Sequence, residues 1–144
     1  MAITQALPNS FKKQLLDGDQ DFSSAGGDTF KLALYVSTAT LGAATTSYTT
    51  GGEVSASGTG YTTTGKALVN SGTSVVSTKA FTNFANLSFT SVTLTARGCL
   101  IYNTSFSNSA VAVLDFGTDK TATSGTFTVQ FPAFTSSAAI IQIS

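Results

Sequence analysis

Between Val92 and Phe116 the chain reads VTLTARGCLIYNTSFSNSAVAVLDF, and no other stretch restricts its fold as tightly. Val92, Leu94, Ala96, Gly98, Leu100 and Tyr102 alternate with Thr93, Thr95, Arg97, Cys99 and Ile101. Period-two alternation rich in β-branched residues is the pattern of a half-buried strand. Gly98 interrupts it, and a glycine inside a strand marks a bulge or a close backbone approach. From Cys99 to Tyr102 both faces are apolar, so that half is expected to be buried on both sides. Asn103 to Ser109 is polar turn material around one aromatic, Phe106. Ala110 to Phe116 is again apolar, broken only by Asp115. Two strands and a short loop predict an antiparallel pair near the middle of a sheet.

The rest of the chain keeps switching between apolar alternation and Ser/Thr/Gly turns. Residues 1–9 read as an apolar arm carrying Ile3, Ala6 and Leu7 before Pro8. Ser10 is the expected N-cap of a short helix with Phe11, Leu15 and Leu16 on its apolar side, closed by Gly18. So short a helix is not stable alone and must dock on its own sheet or on a partner. Thr29 to Ser37 is an expected strand with Phe30, Leu32, Leu34 and Val36 on one face and Lys31, Ala33 and Tyr35 on the other. Thr38 to Gly65 is a long Thr/Ser/Gly connection, so it is either a functional loop or hides short strands. Lys66–Asn70, Thr73–Ser77, Ala80–Thr90, Thr126–Phe131 and Ala138–Ile143 are further strand candidates, with Gly117 to Gly125 expected as a turn. About eight short strands predict a mainly β chain, an antiparallel β-sandwich or jelly roll. Residues 1–22 form the arm and helix and residues 23–144 a single β domain.

The 144 residues fit one domain. Lys plus Arg equals Asp plus Glu, and only 10% of the chain is charged. That balance gives no electrostatic case for nucleic acid or an anionic membrane. It also removes one usual defence against association. A hydroxyl-rich, weakly charged surface fits a protein packed against neighbours, and equally an ordinary Thr-rich β domain. No apolar stretch approaches the ~18 residues of a membrane-spanning helix, and the N-terminus lacks the pattern of a secretory signal, so synthesis in a cytoplasm is the expectation.

The chain has no histidine and a single cysteine, Cys99. The commonest general base and metal ligand are therefore missing, and no cofactor or enzymatic activity is expected. Asp17, Asp19 and Asp21 alternate as in a calcium loop, but the sixth residue from Asp17 is Phe22 and the twelfth is Asp28. A calcium loop needs Gly and Glu there, so an acidic turn is the better reading. Asp115-Phe116-Gly117 matches a kinase metal motif by letters only. Arg97, the only arginine, is a candidate either for pairing with Asp115 or for a partner contact. Asn86 and Asn103 begin glycosylation-type triplets with no signal sequence to give them meaning.

Five stretches together carry a family resemblance: ITQALPNSFKKQLLDGDQDF, GDTFKLALYVSTATLGAATTSYTT, GEVSASGTGYTTTG, VTLTARGCLIYNTS and AVAVLDFGTDKTATSGTFTVQFP. In this order, over nearly the whole chain, the sequence resembles small structural proteins of tailed bacteriophages, most of all capsid cement or decoration proteins. The resemblance implies a non-enzymatic virion protein on the capsid exterior, binding the major capsid protein and itself as a dimer or trimer. Partner contacts are then expected from the arm and helix (Ile3, Leu7, Phe11), from Tyr48, Tyr61 and Phe106, and from Arg97. The alternative is a tail or head-fibre component with a receptor- or glycan-binding face built on Tyr48, Tyr61 and Phe106.

Overall fold

The computed structural model describes residues 2–144, and they form a mainly β protein of seven strands and one helix in the order α1 (Asn9–Asp17), β1 (Phe30–Tyr35), β2 (Lys66–Ala67), β3 (Asn70–Val76), β4 (Lys79–Phe84), β5 (Leu87–Asn103), β6 (Ser109–Val129) and β7 (Ile141–Ile143). Two antiparallel sheets result, one of four strands ordered β2-β1-β5-β6 and one of three ordered β3-β4-β7. The long hairpin β5–β6 is the antiparallel pair the sequence predicts, but it does not lie at the middle of the sheet: β5 is interior and β6 forms the edge, because no further strand follows to pair with it.

Both faces of that sheet are covered. Phe30, Leu32 and Leu34 of β1 enter the main core with Phe11, Phe22, Phe84, Phe89 and Val92. Ala33 and Tyr35 enter a second cluster with Ile3, Leu41, Leu100, Tyr102 and Val113. The two clusters follow the predicted alternation of β1. On β5 the alternation slips. Val92, Leu94 and Ala96 share the main core with Cys99 and Ile101, not with Leu100 and Tyr102. The register shifts between Ala96 and Gly98, and one residue of slip sends the following side chains to the opposite face. Gly98 is required there, because a Cβ would lie 2.4 Å from the Leu114 carbonyl oxygen and 3.0 Å from two Ile3 side-chain carbons.

Several expected boundaries move. Gly117 to Gly125 is not a turn between strands, since β6 runs through it. The turn chemistry appears instead as a wide bulge: Asp115 opposes Gly98 and Lys120 opposes Ala96, so β6 gains three residues over β5, with Gly117 at φ 85°. Beyond the bulge threonine sustains the pairing, with hydroxyl contacts Thr95–Thr121 at 2.8 Å and Ser88–Thr128 at 2.9 Å. The expected strand Ala80–Thr90 is divided, with β4 ending at Phe84 and β5 starting at Leu87 in the other sheet. Asparagines hold this crossing: Asn86 Oδ1 accepts from Phe131 N at 2.7 Å, and Asn83 Nδ2 donates to the Pro132 carbonyl at 2.6 Å. The last strand is only Ile141–Ile143, and β2 only Lys66–Ala67.

Helix α1 begins two residues earlier than Ser10 as N-cap predicts. Pro8 occupies the N-cap position without a side-chain cap, and Ser10 lies in the first turn with its hydroxyl buried and unpartnered. The cause is docking of the preceding backbone, where Asn9 N donates to the Ala43 carbonyl at 2.9 Å. Gly18 closes the helix in the left-handed conformation, as expected, and Asp19 N donates to the Gln14 carbonyl at 2.9 Å.

Candidate functional site

Glu53 is the only glutamate of the chain, and it gathers the long connection 38–65 against the sheet. Val36 N donates to the Gly52 carbonyl and Val54 N to the Leu34 carbonyl, both at 2.9 Å, so residues 52–54 extend the end of β1. That places the Glu53 carboxylate among hydroxyls. Tyr61 donates to its Oε1 at 2.7 Å, Thr64 N to the same oxygen at 2.8 Å, and Tyr48 to Oε2. Tyr61 also accepts from Leu34 N at 3.0 Å, which ties the hub to β1.

All four tyrosines of the chain converge here. Tyr48 stacks on Tyr102 with ring centroids 4.8 Å apart. Tyr102 donates to the Thr64 carbonyl, and Tyr35 donates to the Thr49 carbonyl at 2.6 Å. Thr64 stands at φ 82°, a strained conformation for a residue with a Cβ. The strain is held by three contacts: its N–H to Glu53, its carbonyl from Tyr102, and its hydroxyl accepting from Lys31 Nζ at 2.8 Å. Gly65 follows at φ 80°, so close to β1 that a Cβ would meet the Leu32 carbonyl oxygen at 1.9 Å. Burial pushes the hydroxyls of Tyr35, Tyr48 and Tyr61 far above their ordinary range. The Glu53 charge adds to the shift at all three, and Tyr102 moves the same way. The hydroxyls therefore remain donors well into alkaline solution.

The arm lies on the same sheet. Ala6 and Val113 exchange two backbone hydrogen bonds of 3.0 and 2.9 Å, and Thr4 N donates to the Leu41 carbonyl at 2.9 Å. Ile3, 6% exposed, fills the slot above Gly98. The arm thus covers the edge of β6 near Val113. Past it, the free edge of β6 lines an open groove of about 550 Å³ with Gln5, Phe116, Lys120, Phe127 and Ile140 on its walls.

The residues expected to meet partners are placed as follows. Ile3 and Phe11 are core side chains, and Leu7 packs half-buried against the main core. Tyr61 is only 3% exposed and, with Tyr48, is committed to Glu53. Phe106 is half-buried in the β5–β6 loop, where Asn103 Oδ1 accepts from its N–H at 3.2 Å. Asn103 also donates to Gln20 Oε1 at 2.8 Å and Asp28 Oδ2 at 2.7 Å, so its amide is fully used inside the fold. Arg97 pairs with Asp115 (Nε to Oδ1, 3.2 Å) and reaches Asp119 at 3.8 Å, clamping the bulge between them. The structure therefore brings Tyr48 and Tyr61 together at Glu53; Tyr48 also packs against the cluster that holds Ile3, and its N–H donates to the Asn108 carbonyl in the loop that carries Phe106. Glu53 is the residue that sequence reasoning passes over, and its signal is a lone acid inside a long run of hydroxyl residues.

Chemically, the site is a fixed surface. The Cys99 thiol is fully buried and pushed up by that burial, away from nucleophilic use. Among the described residues no three His, Cys, Asp or Glu side chains converge, and no helix is long and apolar enough to cross a membrane. Comparison with protein-family models, with curated proteins and with solved structures returns no match for this chain.

Proposed function

We propose that this chain is a capsid cement protein, a non-enzymatic virion component that binds the outer lattice of major capsid proteins and ties neighbours together, with its two sheets acting as a β-sandwich scaffold. The observation that carries the proposal is the locked connection 38–65. A weakly charged, hydroxyl-lined segment of this length would ordinarily be mobile, yet Glu53 and four tyrosines fix it on the sheet. A surface ordered in advance loses little conformational entropy on binding. Repeated on a symmetric lattice, modest contacts of this kind give strong retention through effective concentration. The resemblance over nearly the whole sequence points the same way.

A glycan-binding fibre component fits the geometry less well, because Tyr48 and Tyr61 face Glu53 rather than presenting open rings. Cryo-electron microscopy of virions containing this protein tests the proposal. The expected result is density for the chain in a regular array on the shell, with residues 38–65 at the contact. Density confined to tail or fibres would refute it.

A further inference from the structure

Helix α1 presents a second surface that the hub does not use. Phe11 and Leu15 turn inward, while Leu16 is 91% exposed, the most exposed large apolar side chain among the described residues. Leu15 borders a cleft of about 150 Å³ walled by Phe22, Phe81, Ile141 and Ile143. That volume accepts one large apolar side chain or a benzene ring. The apolar surface continues across the smaller sheet, where Val75 pairs with Ala80 and Ala80 with Ile143. Val75 is 67% and Ile143 55% exposed. The helix that carries this exposed knob therefore also borders an apolar cleft, through the neighbouring Leu15.

The charges identify the occupant. Along Lys12-Lys13-Gln14-Leu15-Leu16-Asp17-Gly18-Asp19, two cations precede the leucines and two anions follow them; Lys13 and Asp17 pair within the helix, which leaves Lys12 and Asp19 outside that pair at its two ends. A partner of uniform charge sign would be attracted at one end and repelled at the other. A second copy in reversed direction meets opposite charge at both ends. Such self-complementarity, in which a patch binds itself across a two-fold axis, defines an isologous dimer contact. We propose that two copies of this chain pair through antiparallel α1 helices, each Leu16 entering the other copy's cleft and Lys12 of each facing Asp19 of the other. The pairing is a property of the free protein and stands whether or not the chain coats a shell.

Sedimentation equilibrium of the full chain without shells tests it. The expected result is a concentration-dependent dimer that Leu16→Asp weakens roughly a hundredfold, since two buried leucines are withdrawn at once. The thermal melt of a dilute, monomeric sample should not change, because Leu16 packs on little in its own fold. Lys12→Asp and Asp19→Lys should each weaken the dimer about threefold to tenfold, and the double variant should restore it. A wild-type chain that stays monomeric at millimolar concentration overturns the proposal. So does a dimer indifferent to Leu16→Asp, or a double variant no tighter than the singles. A monomer whose Leu16→Cys thiol becomes protected only on mixing with shells also overturns it, and gives this face to the shell.

Discussion

Replacing Glu53 with alanine is the sharpest test of how the surface is held. The carboxylate accepts from Tyr48, Tyr61 and the Thr64 amide, and the last two share Oε1 at 2.7 and 2.8 Å. Hydrogen bonds to a charged acceptor each contribute about 1.5–3 kcal/mol when well shielded. Glu53 is half-buried, so water partly replaces it, and a total loss of about 3 kcal/mol follows. For a domain of this size that lowers the melting temperature by about 10 °C. Glu53→Gln keeps an acceptor for Tyr61 and Thr64, and the Tyr48 hydroxyl can rotate to accept, so its loss is about 1 kcal/mol. Denaturant unfolding gives the totals, and hydrogen exchange shows where they act. The amides of Val54 and Thr64 should lose protection before those of β1 and β5, because the hub fails before the sheet does. If Glu53→Ala loses less than about 1 kcal/mol and keeps Thr64 protected, the connection is held by something other than this carboxylate.

Gly98→Ala forces a Cβ against the Leu114 carbonyl and Ile3, so we expect a loss of about 2–4 kcal/mol and earlier proteolysis of the arm. An arm cleaved at the wild-type rate would show that Ile3 does not depend on that slot. Above pH ~10 stability should fall. The tyrosine hydroxyls are raised in the fold, so their contribution is complete below the unfolded value near 10 and is lost as pH climbs towards the folded values. Tyr35 and Tyr61 alone then give a slope of about 3 kcal/mol per pH unit. Tyrosinate absorbance from these residues should appear together with global unfolding, and its appearance in the still-folded protein would contradict the burial argument. A double-mutant cycle on Arg97→Ala and Asp115→Ala should give a coupling of about 0.5–1 kcal/mol, with zero coupling removing the clamp at the bulge.

The sequence is legible where one physical rule governs a position. Strict alternation places Phe30, Leu32 and Leu34 opposite Ala33 and Tyr35, and the structure keeps that division. It fails where a local cue meets tertiary pairing. Gly98 announces a bulge, but alternation continued through it assigns Leu100 and Tyr102 to the face they leave. The Gly117–Gly125 segment has turn composition, yet its threonines also suit a pleated edge, and β5 supplies the partner that decides between the two. Leu15 and Leu16 look like one apolar pair in the sequence. At 100° per residue only Leu15 returns to the side of Phe11, and Leu16 swings out.

Glu53 was illegible for a different reason. Its partners lie up to 11 residues away along the connection, at Thr64, and their spacing follows no secondary-structure period. What brings them together is the closure of 38–65 onto the end of β1, itself set by the Val36–Gly52 and Val54–Leu34 backbone bonds. A run of Thr, Ser and Gly has little apolar surface with which to order itself. One carboxylate shared by two hydroxyls and a backbone amide supplies the missing energy in directed form, and only if the backbone first delivers the donors. The rigidity of this surface therefore depends on β1, and changes at Leu34 or Gly65 should loosen residues far from either. A surface built this way is ordered by the fold that carries it, so its rigidity stands or falls with the pairing of residues 52–54 on β1.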